Sequence, residues 1–299
     1  MVQRILRDLN LRGATPSYSL AVVKKGKLIF KDCHPDYLIY DCASTTKPLL
    51  TFPVVEVNVD LNADVRDFIP QLPYSLKMSE LINHTSGLIP WLPLYLFKDS
   101  YIDTILKKGF KGEKGEKVYS CLNYILLKEV VERVCNKDFK TIVKIFLQSF
   151  ENCFLPPVRC ISVAPTERGN VYEYKIAKRF VKDPDKRKFR FNRVIKGETH
   201  DLNSHYSNGI AGNSGLFANI SGVIKLTQTL LKSDNWTLPL FEKDNYFYHL
   251  GFTGTGIAIH KRRDIFIVFL SNRICPIVRD IDFSSLRHYI FESLFREFL

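Results

Sequence analysis

Both ends of the chain read as β-hairpins, and that placement limits the possible folds more than any other feature. Near the start, the apolar runs Tyr18 to Val23 and Lys27 to Phe30 flank Lys24-Lys25-Gly26, a strand–turn–strand signal. Near the end, Gly254 to His260 and Ile265 to Ser271 flank Lys261-Arg262-Arg263-Asp264. Beyond them Leu286, Tyr289, Ile290, Ser293, Leu294 and Phe298 recur at helical spacing. The middle differs: Ser79 to His84, Leu122 to Val134, Phe139 to Phe150 and Ser221 to Leu231 read as helices joined by loops. The economical arrangement is α+β, with an antiparallel sheet made from both chain ends and covered by the last helix. We expect one domain over residues 1–299, with an α/β lobe from about 1–45 and 245–299 and a helical and loop lobe from about 46–244.

Hydrophobic residues make up 45% of the 299, enough to fill a sizeable core. The net charge of +12 raises the question of nucleic acid. The basic residues are spread along the chain, however, apart from one dense stretch from Lys175 to Lys196, and no nucleic-acid motif spacing accompanies them. A Lys-rich solvated surface is the reading, with residues 182–196 (KDPDKRKFRFNRVIK) as an exposed basic connection or flap. The seven cysteines include no C-x-x-C, so neither a disulfide framework nor a zinc site is indicated. His200 and His205 lack an H-E-x-x-H frame, which leaves metal binding without support. The start, MVQRILRDLNLRG, has no signal-peptide core, and no run is long enough to span a bilayer. The expectation is a cytoplasmic protein with reduced thiols, no membrane or nucleic-acid partner, and no metal or cofactor.

Chemistry enters with DCASTTKPLL, residues 41–50, where Ser44 precedes Lys47 by three. On one helical turn the two side chains share a face. A serine hydroxyl is a weak nucleophile until a base takes its proton, and a lysine serves when burial lowers its pKa. The spacing by itself favours a solvated helix start over a catalytic pair.

The neighbouring motifs change the balance. Ser44-Thr45-Thr46-Lys47-Pro48 resembles the S-x-x-K-P segment of the serine β-lactamase and penicillin-binding-protein superfamily, in particular its class C and esterase-like branch. Leu81 to Leu88 (LINHTSGL) is similar to that branch's L-L-x-H-T-S-G-L, and Tyr119 to Leu127 (YSCLNYILL) to its Y-S-N-x-x-Y-x-L-L. Gly209 to Phe217 (GIAGNSGLF) resembles a G-x-A-G-x-A-G-L-F element, and His249-Leu250-Gly251 the H-x-G motif of the strand beside the site. The five run in register from about Ser17 to beyond Asn272.

The resemblance implies a β-lactamase/transpeptidase-like fold with the site between its lobes. It implies Ser44 as nucleophile, Lys47 as proton partner and Tyr119 as a proton relay, deprotonated or nearly so. The backbone N–H groups of Ser44 and Phe252 would form the oxyanion hole. Cys121, His249 and Gly251 would border the substrate, with His249 sustaining a positive field. The implied activity is two-step acyl transfer to water from small esters, amides or β-lactams, an intracellular esterase leading. The alternative is a D-alanyl-peptide- or penicillin-recognising protein that deacylates slowly; a silent scaffold binding polyanions through 175–196 comes third. Three departures bear on this: Cys121 stands where many relatives have Asn, Leu250 where Thr is frequent, and Asn213 where His is common. Pro53 also interrupts the segment after Lys47, which predicts a shortened or broken helix and a loosened Ser44–Lys47 geometry.

Overall fold

The computed structural model describes residues 11–35 and 38–299; the stretch 1–10, read above as lacking a signal-peptide core, lies outside the described residues. The opening hairpin forms as expected, with β1 (Tyr18–Lys24) and β2 (Lys27–His34) joined through Lys25 and Gly26. Both turn residues have positive φ, 49° and 76°. That is the backbone of a tight turn whose twist matches the strands it joins. Three short strands follow in the middle of the chain: β3 (Tyr40–Asp41), β4 (Ser86–Leu88) and β5 (Phe110–Lys114). β6 (Cys153–Phe154) and β7 (Phe217–Ala218) complete a small sheet with β3, in the order β3-β7-β6. Near the end lie β8 (Phe241–Lys243), β9 (Tyr246–Leu250), β10 (Gly256–His260) and β11 (Ile265–Ser271).

The main sheet runs β2-β1-β11-β10-β9-β8 and joins the two chain ends at its centre, where β1 pairs antiparallel with β11 from Tyr18↔Ser271 to Lys24↔Ile265. β1 and β11 are almost wholly buried, and both sheet faces are covered. One face, with Leu20, Val22, Ile267 and Phe269, packs on the terminal helix Phe283–Phe298 through Ile290, Phe291 and Leu294. The other face, with Ala21, Val23, Val268 and Leu270, packs on helix Ile220–Leu230 and the helical lobe. Two covered faces explain why these strands are continuous apolar runs rather than alternating ones. The result is the β-lactamase/transpeptidase-like α+β fold, an antiparallel sheet flanked by helices with a mainly helical second lobe.

Pro53 does not break the helix after Lys47. Residues Lys47–Thr51 form a π-helical turn in which Phe52 N–H reaches back to Lys47 C=O, and an α-helix, Phe52–Asn58, continues from it. Pro53 falls in the first turn of that α-helix, where its missing N–H is tolerated. Single π turns of this kind recur at functional sites. The helix is short, but the turn that carries Ser44 and Lys47 is intact. Residues 182–196 are only partly an exposed flap: Lys186 and Arg187 are exposed, while Phe189, Arg190 and Ile195 are buried. Arg190 donates to Asn170, Thr199 C=O and His200 C=O, which pins the segment to the body. Among the described residues no helix is long and apolar enough to cross a membrane, and no cluster of metal-ligating side chains occurs.

Candidate active site

Ser44 follows a residue held in an unusual backbone conformation. Ala43 has φ of 46°, the left-handed region that costs a residue with a Cβ about 1–2 kcal/mol. What holds it is Asp41, completely buried: Oδ1 accepts from Ala43 N–H at 2.9 Å and Oδ2 from His200 N–H at 2.8 Å. The turn is further tied by Thr253 Oγ1 donating to Asp41 C=O and Thr255 Oγ1 donating to Cys42 C=O, each at 2.8 Å. So the β9–β10 connection, which carries Phe252, is fastened directly to the turn that carries Ser44. Neither Ser44 N–H nor Phe252 N–H meets a backbone acceptor among the described residues. Both remain available to an oxyanion.

Lys47 Nζ lies 3.1 Å from Ser44 Oγ, 2.9 Å from Asn213 C=O and 3.6 Å from Cys121 Sγ. The Asn213 carbonyl is delivered by a sharp turn at Gly212 (φ 82°), where a Cβ would sit 2.3 Å from Tyr124 C=O, so only glycine fits. Lys47 has no exposure, and burial lowers its pKa, with the neighbouring Cys121 opposing. A lowered lysine is the state that accepts a proton from a hydroxyl. Tyr119 sits at the start of helix Cys121–Cys135, whose N-cap Ser120 accepts from Leu122 N–H. Lys47 Nζ is 5.1 Å from the Tyr119 ring, and Cys121 Sγ donates to the phenol oxygen at 3.9 Å. The expected phenolate is not what the environment supports. Burial pushes the Tyr119 phenol well above its usual range, with Ser44 only partly offsetting it, which favours the neutral phenol.

The cavity at Ser44, of about 260 Å³, has mainly apolar walls that include Trp91, Tyr172, Ile176 and Phe252. Tyr119, Cys121, Asn213 and His200 also border it. His249 and Gly251 do not. His249 lies behind Tyr119, 6.1 Å between rings, and neither ring nitrogen has a hydrogen-bond partner among the described residues. Burial, reinforced by the Lys47 charge, lowers its pKa well below the usual value. The imidazole is neutral and supplies no positive field. Gly251 packs against the nucleophile turn, where a Cβ would stand 2.8 Å from Cys42 C=O. Its lack of a side chain serves close packing of β9 on that turn rather than contact with the cavity.

The structure thus gathers Ser44, Tyr119, Cys121 and Phe252 around one cavity, with the buried Lys47 reaching Ser44 Oγ from within, and leaves His249 and Gly251 out of the cavity wall. It adds Asp41, missed in the sequence although it stands only three residues before Ser44. It also adds His200, noticed only as an unsupported metal ligand. His200 Nε2 is 2.9 Å from Glu167 Oε2, both buried, and its ring lies 5.6 Å from that of Phe252. No local pattern links Glu167 to His200, 33 residues apart.

Residues 2–147 match a family model described as Beta-lactamase. No curated relative matches the sequence. Among solved structures, FmtA from Staphylococcus aureus superposes with a TM-score of 0.66 at 14% identity, over 98% of this chain and 86% of that one. A class C β-lactamase from Rhodobacter sphaeroides gives 0.65 at 13% identity, over 98% of each chain. EstCE1, described as a hydrolase with promiscuous acyltransferase activity, gives 0.65 at 14% identity, over 91% of this chain and 92% of its own. At these identities the likeness is one of fold.

Proposed function

We propose that the chain is a serine hydrolase of the serine β-lactamase and penicillin-binding-protein superfamily, acting through an ester on Ser44; the Beta-lactamase model over residues 2–147 supports the reading. The observation that carries this is Lys47 Nζ, buried, at 3.1 Å from Ser44 Oγ. In the first step Ser44 Oγ attacks the substrate carbonyl while Lys47 takes its proton. The N–H groups of Ser44 and Phe252 hold the developing oxyanion; losing one such donor typically costs about 3–4 kcal/mol of barrier. The bond to the leaving group breaks as the proton passes to it from Lys47, with the neutral Tyr119 phenol as the bridge. Water then hydrolyses the ester and frees Ser44.

Small esters are the leading substrates. The cavity is compact and mostly apolar, and Cys121 offers the weak hydrogen bonds of a thiol where many relatives carry an amide side chain. Hydrolysis of p-nitrophenyl butyrate by wild type and Ser44→Ala tests the reading. Turnover that drops to background in Ser44→Ala supports it, and equal activity of the two sinks it. A single burst of product without turnover would mark an acyl-binding protein instead.

A further inference from the structure

Ser44 release needs a water and a group to take its proton. Lys47 is already committed to Ser44 Oγ and Asn213 C=O. A second basic side chain borders the same cavity: His200. Its placement is unusually determined. The backbone N–H is held by Asp41 Oδ2, the carboxylate whose other oxygen holds Ala43 N–H beside the nucleophile. The carbonyl accepts from Asn170 Nδ2 at 2.8 Å and Arg190 Nη2 at 3.0 Å. The ring packs toward Phe252, the residue whose N–H is proposed above as an oxyanion donor. One carboxylate therefore ties the His200 backbone to the nucleophile turn.

The side chain is oriented as well as placed. Nε2 pairs with the buried Glu167 carboxylate at 2.9 Å, while Nδ1 meets no protein partner among the described residues and is absent from their buried unsatisfied nitrogens. A carboxylate accepting from one ring nitrogen fixes the tautomer, leaves the other nitrogen as an acceptor, and stabilises the imidazolium once a proton arrives. A buried His–Glu pair is far more ordered than apolar packing requires.

We infer that His200, held by the positioning residue Glu167, takes the proton from the water that releases the acyl group from Ser44. The inference rests on the Ser44 ester proposed above. In the step, the water oxygen bonds to the ester carbonyl carbon and one water proton moves to His200 Nδ1. The bond from that carbon to Ser44 Oγ then breaks, and the proton held by His200 returns to Oγ. The products are the free acid and the serine, with His200 and Glu167 unchanged. Lys47 thus serves acylation and His200 serves deacylation.

The backbone anchors of His200 survive any change of its side chain, which makes His200→Ala a usable variant. Glu167→Gln keeps the ring and removes only the charge beneath it. Stopped-flow p-nitrophenyl butyrate hydrolysis separates the steps: the burst reads acylation, the steady rate reads release, and intact-protein mass reads butyryl-enzyme. For His200→Ala we expect a preserved burst, a steady rate lowered about a hundredfold or more, accumulated butyryl-enzyme, and partial recovery with added imidazole. Glu167→Gln should move the same way by less. A purely structural role would lower burst and steady rate together and show no imidazole recovery, which overturns the inference. Full wild-type turnover in His200→Ala overturns it too. A wild type that acylates but never turns over removes the deacylation role while leaving the Ser44 ester standing. Absence of any Ser44-dependent burst fails the hydrolase reading itself.

Discussion

Gly251→Ala should cost more activity than stability, and the reason can be measured on the structure. A Cβ at Gly251 would lie 2.0 Å from Thr255 Oγ1, 2.8 Å from Cys42 C=O and 3.4 Å from Ala43 Cβ. Restoring an ordinary 3.4 Å contact requires an opening of about 1.4 Å from Thr255 and about 0.6 Å from Cys42. Thr255 can rotate, but only by giving up its 2.8 Å bond to Cys42 C=O. The Cys42 carbonyl is backbone and cannot turn away. The strand end must therefore back off the nucleophile turn and take Phe252 N–H with it. Overpacking of this kind costs about 1–3 kcal/mol, a Tm lowered by a few degrees at roughly 2–4 °C per kcal/mol. A misplacement near 1 Å costs on the order of a hundredfold in rate. We expect kcat for p-nitrophenyl butyrate to fall between about tenfold and a hundredfold, with KM changed much less. The Gly251→Ala/Thr255→Ala double variant should regain part of the Tm but not the rate, because Cys42 C=O remains in the way. Native kcat in Gly251→Ala alongside a lowered Tm would refute the argument, since the contact would then not be what positions the oxyanion donor.

Further predictions follow from the buried charges. Burial lowers the Lys47 pKa, so between its folded value and the unfolded 10.5 the unfolded chain binds the extra proton and stability rises with pH. Lys47→Met should flatten that slope in thermal melts run from neutral to alkaline pH while abolishing turnover; an unchanged slope would show that Lys47 is not the source. The same shift places Lys47 on the acid limb of the rate profile: kcat/KM should fall as pH drops through its lowered pKa. His249, lowered well below its usual pKa by burial and with no hydrogen-bond partner for its ring nitrogens among the described residues, should contribute no limb of its own, so His249→Gln should leave the profile's shape intact. Asp41→Ala should strand two buried backbone N–H groups at about 1–3 kcal/mol each, read as a loss in denaturant midpoint together with loss of activity. Asp41→Asn should lose less, because its one oxygen can still accept from one of them, and equal losses would show that hydrogen bonding is not the cause.

Several parts of the molecule were legible in residue order because their signals are local. The hairpin at Lys25-Gly26 needs only two apolar runs and residues that tolerate positive φ. The terminal helix announces itself by periodicity, and the Ser44–Lys47 pair by three-residue spacing on a single turn. Pro53 misled for a related reason: proline rules out an ordinary α-helical hydrogen bond, but a wider π turn upstream is a backbone solution that local propensity does not signal. The basic stretch 182–196 misled because charge content reports on composition, while Arg190 is buried by partners at residues 170 and 198–200.

The sequence by itself determined the two hairpins that supply β1, β2, β10 and β11, the α+β class and which serine and lysine share a turn. Only the tertiary structure decided the states of the charged groups. Lys47 is lowered, Tyr119 held neutral and His249 discharged because each is enclosed by chain segments far away in sequence, and taking a charge out of water is what shifts its proton equilibrium. The tie from Asp41 to His200 across 159 residues, and the pairing of His200 with Glu167, likewise exist only once the chain has folded, since a hydrogen bond acts over about 3 Å and leaves no periodic trace along the chain.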